Sequence, residues 1–362
     1  MNICIVAGAR PNFMKVAPIV HAIQRAAKEG KDIDFKLVYT GSEGDSTLEP
    51  SLFADLEIAP PTIYLGVDCE NLNELTGQVM SAFEKYLDAS PADVVIVVDD
   101  LASTMAAAIV TKKRGVCLAH LVAGTRSFDI NMPKEINRLV IDGLSDLLFT
   151  AGMGSNSIAT RGGTENAQVY MVGNILMDTL RLNHGKEQRP AISDDLRDGE
   201  YLMFTLNRKA LMANEENLKL MLARLIEEAQ SLPIVAPLRG MAAKVVEACL
   251  PADVGGFKIV EPLTYLEFGY LMEHAKGVIT DSGNVAEEAT FRQIPCITLN
   301  SYTEHVETVK VGTNVLVGED AELLAQSVRG MVRGEWKKAG IPERWDGRSA
   351  ERIVQILLDM KR

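Results

Sequence analysis

The chain has 362 residues, 47% of them hydrophobic and 24% charged, with a net charge of −12. This ordinary globular composition supplies apolar material for about two domains, and the acidic balance argues against a nucleic-acid surface or docking on an anionic membrane. No apolar run reaches the ~20 residues of a membrane span. Met1-Asn2 leads straight into a strand rather than a leader. The cysteines Cys4, Cys69, Cys117, Cys249 and Cys296 show neither CxxC nor ligand spacing, so they read as reduced thiols of a cytoplasmic protein, with no metal site.

In chain order, apolar strands alternate with amphipathic helices. Residues 3–7 read as strand, 15–27 as helix, 35–39 as strand and 75–87 as helix; strands follow at 94–98, 116–122 and 147–150. The run Val94 to Val98 is apolar at every position, as in a strand covered on both faces. Composition turns polar over 183–199, with Pro190 and Gly199, which marks a connection into a second domain. A second series follows: strands at 201–205, 234–237, 258–260, 278–280 and 296–299, and helices at 215–229, 241–248, 265–274, 321–333 and 347–360. The pattern predicts an α/β protein of two Rossmann-like domains facing a cleft, with domains at 1–182 and 183–345 and a final segment at 346–362. In such sheets ligands meet the carboxyl ends of the strands, so the strand ends are the places to look for chemistry.

The most informative of these ends is Thr280-Asp281-Ser282-Gly283-Asn284, where a strand passes into a helix. Free backbone N–H groups at the positive end of a helix dipole suit a phosphate, and Glu288 on the same helix suits the two hydroxyls of a ribose. An ordinary turn with Ser282 as N-cap fits the residues as well. The first strand ends in Gly8-Ala9-Arg10-Pro11, with Lys15 expected on the first helical turn; Arg10 and Lys15 would either neutralise a diphosphate or lie solvated on the surface. Asp99-Asp100 close the third strand and serve either as acid–base groups or as a helix cap. Arg126, Lys134, Glu135 and Arg138 form a polar cluster around a helix start at Pro133. Asn207, Arg208 and Lys209 close the first strand of the second domain. His120 and His305 read as packed or surface histidines before ligands. GxGxxG, P-loop, HExxH and GxSxG patterns are all missing from the sequence.

Taken in order, these pieces resemble the UDP-N-acetylglucosamine 2-epimerase family over essentially the whole chain. Gly8 to Pro11 is similar to the family's G-T-R-P-E, Asp100 with Ser103-Thr104 to G-D-T-x-T, and His120 to Ser127 to H-V-E-A-G-L-R-S. Pro133 to Arg138 resembles P-E-E-x-N-R, Val172-Gly173-Asn174 with Asp178 resembles V-G-N-x-x-x-D, Thr280 to Ala289 resembles T-D-S-G-G-x-Q-E-E-A, and Thr303 to Glu307 resembles T-E-R-P-E. The resemblance implies the glycosyltransferase-B arrangement, a last helix crossing back to the first domain, a UDP-sugar ligand held mostly by the second domain, a homodimer, and no metal or nicotinamide cofactor. It implies removal of the sugar C2 proton with expulsion of UDP, then re-addition or hydrolysis. On the matched positions, Asp100, Lys134, Glu135 and Asn207 fall at catalytic places, and Arg10, Lys15, Arg138, Arg208, Phe268, Ser282, Gly283, Asn284, Glu288 and His305 at UDP-sugar-binding places.

The chain departs from the family pattern at several of these places. The Glu of H-V-E-A-G is Val122, the first Glu of P-E-E is Lys134, the His of G-H-R-R-E is Asn207, the Arg of T-E-R-P-E is His305, and the second Gly of D-S-G-G is Asn284. A valine moves no proton and an amide does not at neutral pH. Asp100 is then the expected acid or base, and Lys134 is expected to act as a base if burial beside Arg126 or Arg138 favours its neutral form. Two other readings stand beside the enzyme: a nucleotide-sugar-binding or regulatory protein, and a glycosyltransferase of the same architecture.

Overall fold

The computed structural model describes residues 1–360, which fall into two compact units. Unit 1 comprises Met1–Leu182 and the stretch from Glu343 onward; unit 2 comprises Asn183–Pro342.

In unit 1 the elements are β1 (Asn2–Ala7), α1 (Arg10–Lys28), β2 (Asp34–Tyr39), α2 (Pro50–Asp55), β3 (Ile63–Tyr64), α3 (Leu72–Ala89), β4 (Val94–Val98), α4 (Ala102–Lys113), β5 (Cys117–Leu121), α5 (Pro133–Leu144), β6 (Leu147–Thr150), α6 (Met153–Gly162), β7 (Gln168–Met171) and α7 (Ile175–Asn183). The strands pair in parallel in the order β3-β2-β1-β4-β5-β6-β7. β4 is buried along its whole length, because helices cover both faces of the sheet. The order reverses between β1 and β4, which makes their carboxyl ends the topological switch point of this unit.

Unit 2 repeats the plan with β8 (Leu202–Phe204), α8 (Lys209–Ala213), α9 (Glu215–Ala229), β9 (Ile234–Pro237), α10 (Gly240–Cys249), β10 (Phe257–Val260), α11 (Tyr265–His274), β11 (Gly277–Thr280), α12 (Gly283–Arg292), β12 (Cys296–Thr298), α13 (Val306–Lys310), β13 (Asn314–Leu316) and α14 (Ala321–Arg333). Its parallel order is β10-β9-β8-β11-β12-β13, with the switch point between β8 and β11.

The return to unit 1 begins at Glu343, earlier than residue 346, because the chain is already tied down there. Arg344 donates to the Met171 carbonyl, and the buried Trp345 donates its indole N–H to the Ala151 carbonyl at 3.1 Å. α15 (Ser349–Asp359) then packs on α1. The Val172-Gly173-Asn174 motif with Asp178 builds the clasp. Gly173 has φ +100, and a Cβ there would lie 2.1 Å from the Arg344 carbonyl oxygen, so only glycine fits. Asp178 accepts from Ser349 N–H (3.0 Å) and Ala350 N–H (2.8 Å), capping α15.

α1 starts at Arg10, not at residue 15, so Lys15 lies in the second turn rather than the first. The start is set by Asn12, whose Oδ1 accepts from Gly8 N–H (2.9 Å) and Ala9 N–H (3.2 Å), and by Pro11 in the first turn. Pro18 inside the helix leaves the Met14 carbonyl without its intrahelical donor, and the Thr179 hydroxyl of α7 donates to that oxygen instead.

Candidate functional site

At the unit 1 switch point nearly every expected polar residue is held in one chain of ion pairs. Asp100 follows β4 and accepts from Arg138 Nε at 2.8 Å and Nη2 at 2.7 Å, with Lys134 Nζ at 3.6 Å. Burial opposes its charge, but Lys134 and Arg138 outweigh burial and hold the carboxyl below the usual range. Asp100 is therefore an ionised group at neutral pH, suited to accept a proton rather than to donate one. Neither Asp99 nor Asp100 caps α4; that helix starts after Leu101, whose N–H donates to Thr104 Oγ1 at 3.1 Å.

Arg138 also reaches Glu135 at 3.2 Å, and Glu135 accepts from Ser127 N–H (2.8 Å) and Ser127 Oγ (2.9 Å). Burial would raise the Glu135 carboxyl, yet these Ser127 bonds and Arg138 lower it on balance. Its contacts make it a brace for the 127–135 loop. Lys134 is not buried as expected: its side chain is 59% exposed, with its Nζ 3.6 Å from Asp100. The burial that was to favour a neutral amine is missing.

Behind this pair lies a group that sequence reasoning passed over. Asp142 is fully buried and accepts from Arg126 Nη1 (2.7 Å) and Gly124 N–H (3.1 Å), with His120 Nδ1 at 2.6 Å. Burial raises its carboxyl, but His120 and Arg126 bring it below the usual range. His120 Nε2 lies 2.9 Å from the Asp99 carbonyl oxygen, so both ring nitrogens face acceptors. The signal was available, because Asp142 is one helical turn on from Arg138 and shares its face.

Between His120 and Gly124 the strand stops one residue before the predicted end, and Val122 has φ +71. A β-branched residue in this region costs about 1–3 kcal/mol. The position that carries an acid in the family motif thus holds an apolar side chain in a left-handed turn. Gly124 is fixed by packing, since a Cβ would lie 2.0 Å from the Ser155 carbonyl oxygen.

Lys15 does not lie solvated. It is buried and pairs with Asp99 at 2.6 Å. Arg10 stays partly exposed, 3.8 Å from Glu49.

At the unit 2 switch point, Asp281 ties the two strand ends together. Its Oδ2 accepts from the N–H groups of Asn207 (2.7 Å) and Arg208 (2.5 Å), and burial raises its carboxyl despite them. Arg208 reaches Asn300 Oδ1 at 2.9 Å and Glu319 at 3.3 Å. The Asn207 side chain is exposed. Ser282 caps α12 by accepting from Val285 N–H at 3.5 Å, and Gly283 and Asn284 form its first turn, half-exposed. Gly283 has no room for a side chain, because a Cβ would lie 2.7 Å from the His305 ring; His305 is fixed by Glu287 at 2.7 Å. Phe268 packs on the apolar cluster that holds Ala286 and Ala289.

Glu288 is the most distinctive group of this unit. It is buried, its Oε2 lacks a hydrogen-bond partner among the described residues, and so does the buried Tyr265 Oη. Burial pushes the Glu288 carboxyl up to about 7, with Arg292 lowering it and Glu287 raising it. A buried, unsatisfied carboxylate is costly unless a ligand supplies the donors. Among the described residues, one set with metal-like spacing (His184, Glu187, Glu273) lies nearby. Arg292 pairs with both of its carboxylates, so their charge is already met by a guanidinium.

A family model described as UDP-N-acetylglucosamine 2-epimerase matches residues 25–358. The chain belongs to that family. A relative from Methanocaldococcus jannaschii named UDP-N-acetylglucosamine 2-epimerase is 33% identical, with 99% of each chain covered. A Pseudomonas aeruginosa relative named UDP-2,3-diacetamido-2,3-dideoxy-D-glucuronate 2-epimerase is 31% identical over 91% of this chain and 92% of its own. The crystal structure of the Methanocaldococcus jannaschii UDP-GlcNAc 2-epimerase in complex with UDP-GlcNAc and UDP matches with a TM-score of 0.84 at 32% identity, covering 99% of both chains. As a member of this epimerase family the chain has the expected α/β fold of two Rossmann-like domains. No helix among the described residues is long and apolar enough to cross a membrane.

Proposed function

We propose that this epimerase-family enzyme acts on a UDP-2-acetamido sugar, removing the proton at C2 and expelling UDP, which is then re-added or released. The substrate class follows from the names of the relatives, which act on or were crystallised with such sugars. Unit 2 supplies the nucleotide-holding groups: Ser282, Gly283 and Asn284 for phosphate, Arg208 and His305 beside them, Phe268 for the base and Glu288 for the ribose. Unit 1 supplies Asp100 as proton acceptor, with Arg138 as its fixed partner. A cytoplasmic homodimer is part of this reading, in keeping with five unpaired cysteines.

The observation that carries the nucleotide assignment is the buried Glu288 carboxyl with an unsatisfied oxygen at a switch-point helix. Two ribose hydroxyls donating to that carboxylate favour its ionised form, so ligand and proton compete. With the carboxyl near 7, UDP affinity is expected to fall about tenfold from pH 8 to pH 6. Glu288→Gln is expected to bind UDP weakly and without that slope. Calorimetric titration at several pH values checks both; a flat profile in the unsubstituted protein removes Glu288 from ribose binding.

The reaction is tested by following UDP-acetamido sugars by NMR in deuterated water. Deuterium at C2, or free UDP, is the expected result. A specific observation favours a second reading: Val122, Lys134 and Asn207 stand where the family pattern has two carboxylates and an imidazole, and Asp99, Asp100, Glu135 and Asp142 are all ion-paired. UDP binding with neither deuterium uptake nor UDP release across the sugars would make the protein a nucleotide-sugar binder.

A further inference from the structure

Asp99 stands where the family's G-D-T-x-T motif has glycine, and its φ of +59 lies in the left-handed region that glycine occupies without penalty. For an L-residue this conformation costs about 1–2 kcal/mol, and Asp and Asn are among the few that visit it. Both carboxylate oxygens are used. Lys15 Nζ donates to Oδ1 at 2.6 Å, and Asn12 Nδ2 donates to Oδ2 at 2.8 Å. Lys15 is the only buried lysine among the described residues. Asn12 in turn accepts from the Gly8 and Ala9 N–H groups, so this turn is oriented through Asn12 onto the Asp99 carboxylate. His120 Nε2 faces the Asp99 carbonyl and fixes the backbone behind it.

A buried lysine and a carboxamide directed at one point beside a switch point are what an anionic ligand group would meet. Here that point is filled from within. We propose that Asp99 is a specificity-determining residue, a built-in counter-anion that engages Lys15 and keeps the unit 1 switch point from gripping an anionic group. The inference rests on the reading that the protein binds UDP, and its test separates the two.

Asp99→Asn keeps a residue tolerant of the left-handed conformation and removes the charge; Asp99→Gly restores the family residue. Affinities for UDP, uridine and inorganic pyrophosphate are measured by calorimetry for the unsubstituted protein, both variants and the double variant Asp99→Asn/Lys15→Met. Removing the Asp99 charge from Lys15 is expected to tighten UDP and pyrophosphate by about tenfold, the order of one hydrogen bond to a charged group. Uridine affinity should not change, and the double variant should lose the gain. Unchanged or weaker pyrophosphate binding in both single variants overturns the inference, as does a gain that survives Lys15→Met. If no form binds UDP or uridine, the nucleotide reading fails, while the pyrophosphate comparison still decides the role of Asp99.

Discussion

Replacing Asp100 by Asn is expected to lower turnover of a UDP-acetamido sugar by about 10²–10⁴-fold, the usual contribution of a general acid or base, while UDP binding persists. The substitution preserves shape and removes the charge that Arg138 and Lys134 hold in place. Arg138 keeps Glu135 as a partner, so the helix start at Pro133 stays anchored. Because those two cations hold the Asp100 carboxyl below the usual range, it stays ionised through neutral pH, and the activity it contributes as a base falls only on the acid side. A fall in rate through neutral pH therefore belongs to another group. Single-turnover kinetics with NMR detection, beside UDP titration of the same sample, provide the measurement. Turnover within a few-fold of the unsubstituted protein takes Asp100 out of the mechanism.

The fold was legible because the central strands of both sheets are short and largely apolar, as strands covered on both faces are. β4 is the clearest case. What escaped were the edges. β7 pairs on one side only and reads Gln-Val-Tyr-Met, and β3 has two residues, so neither shows a continuous apolar run. The start of α1 was hidden because its cap, Asn12, reaches back from inside the helix. Candidate residues at strand ends could be picked out because topology gathers the strand ends of each sheet. Sequence position says nothing, however, about which charge takes which partner. Lys15 was expected to neutralise a diphosphate or lie solvated, and Lys134 to be buried beside Arg126 or Arg138, whereas Lys15 is buried against Asp99 and Lys134 is exposed beside Asp100. Asp142 was missed for the same reason, since its importance lies in converging partners and not in any motif.

Removing the Asp142 carboxylate is expected to destabilise unit 1 by about 3–5 kcal/mol, the range for breaking a buried ion pair from one side. Asp142→Ala would leave the Arg126 guanidinium (side chain 5% exposed) without its 2.7 Å partner and the Gly124 N–H without an acceptor. It would also free His120, whose other nitrogen faces the Asp99 carbonyl, so the disturbance reaches the end of β4. The pH dependence distinguishes loss of the ion pair from simple loss of packing. The folded-state carboxyl lies below its unfolded value, so the stability it contributes is present above the ordinary Asp range and is lost as pH falls through the folded value. The unsubstituted protein should therefore lose this increment in acid, and Asp142→Ala should lack it at every pH. Asp142→Asn, which keeps the volume, should remove the pH-dependent part while retaining more of the rest. Chemical denaturation followed by hydrogen exchange at Gly124 and His120 reads the effect in unit 1, with the unit 2 amides as an internal reference. A variant as stable as the unsubstituted protein would mean that His120 and Arg126 are neutralised without Asp142, and that the ion-pair chain behind the proposed proton acceptor has no structural role.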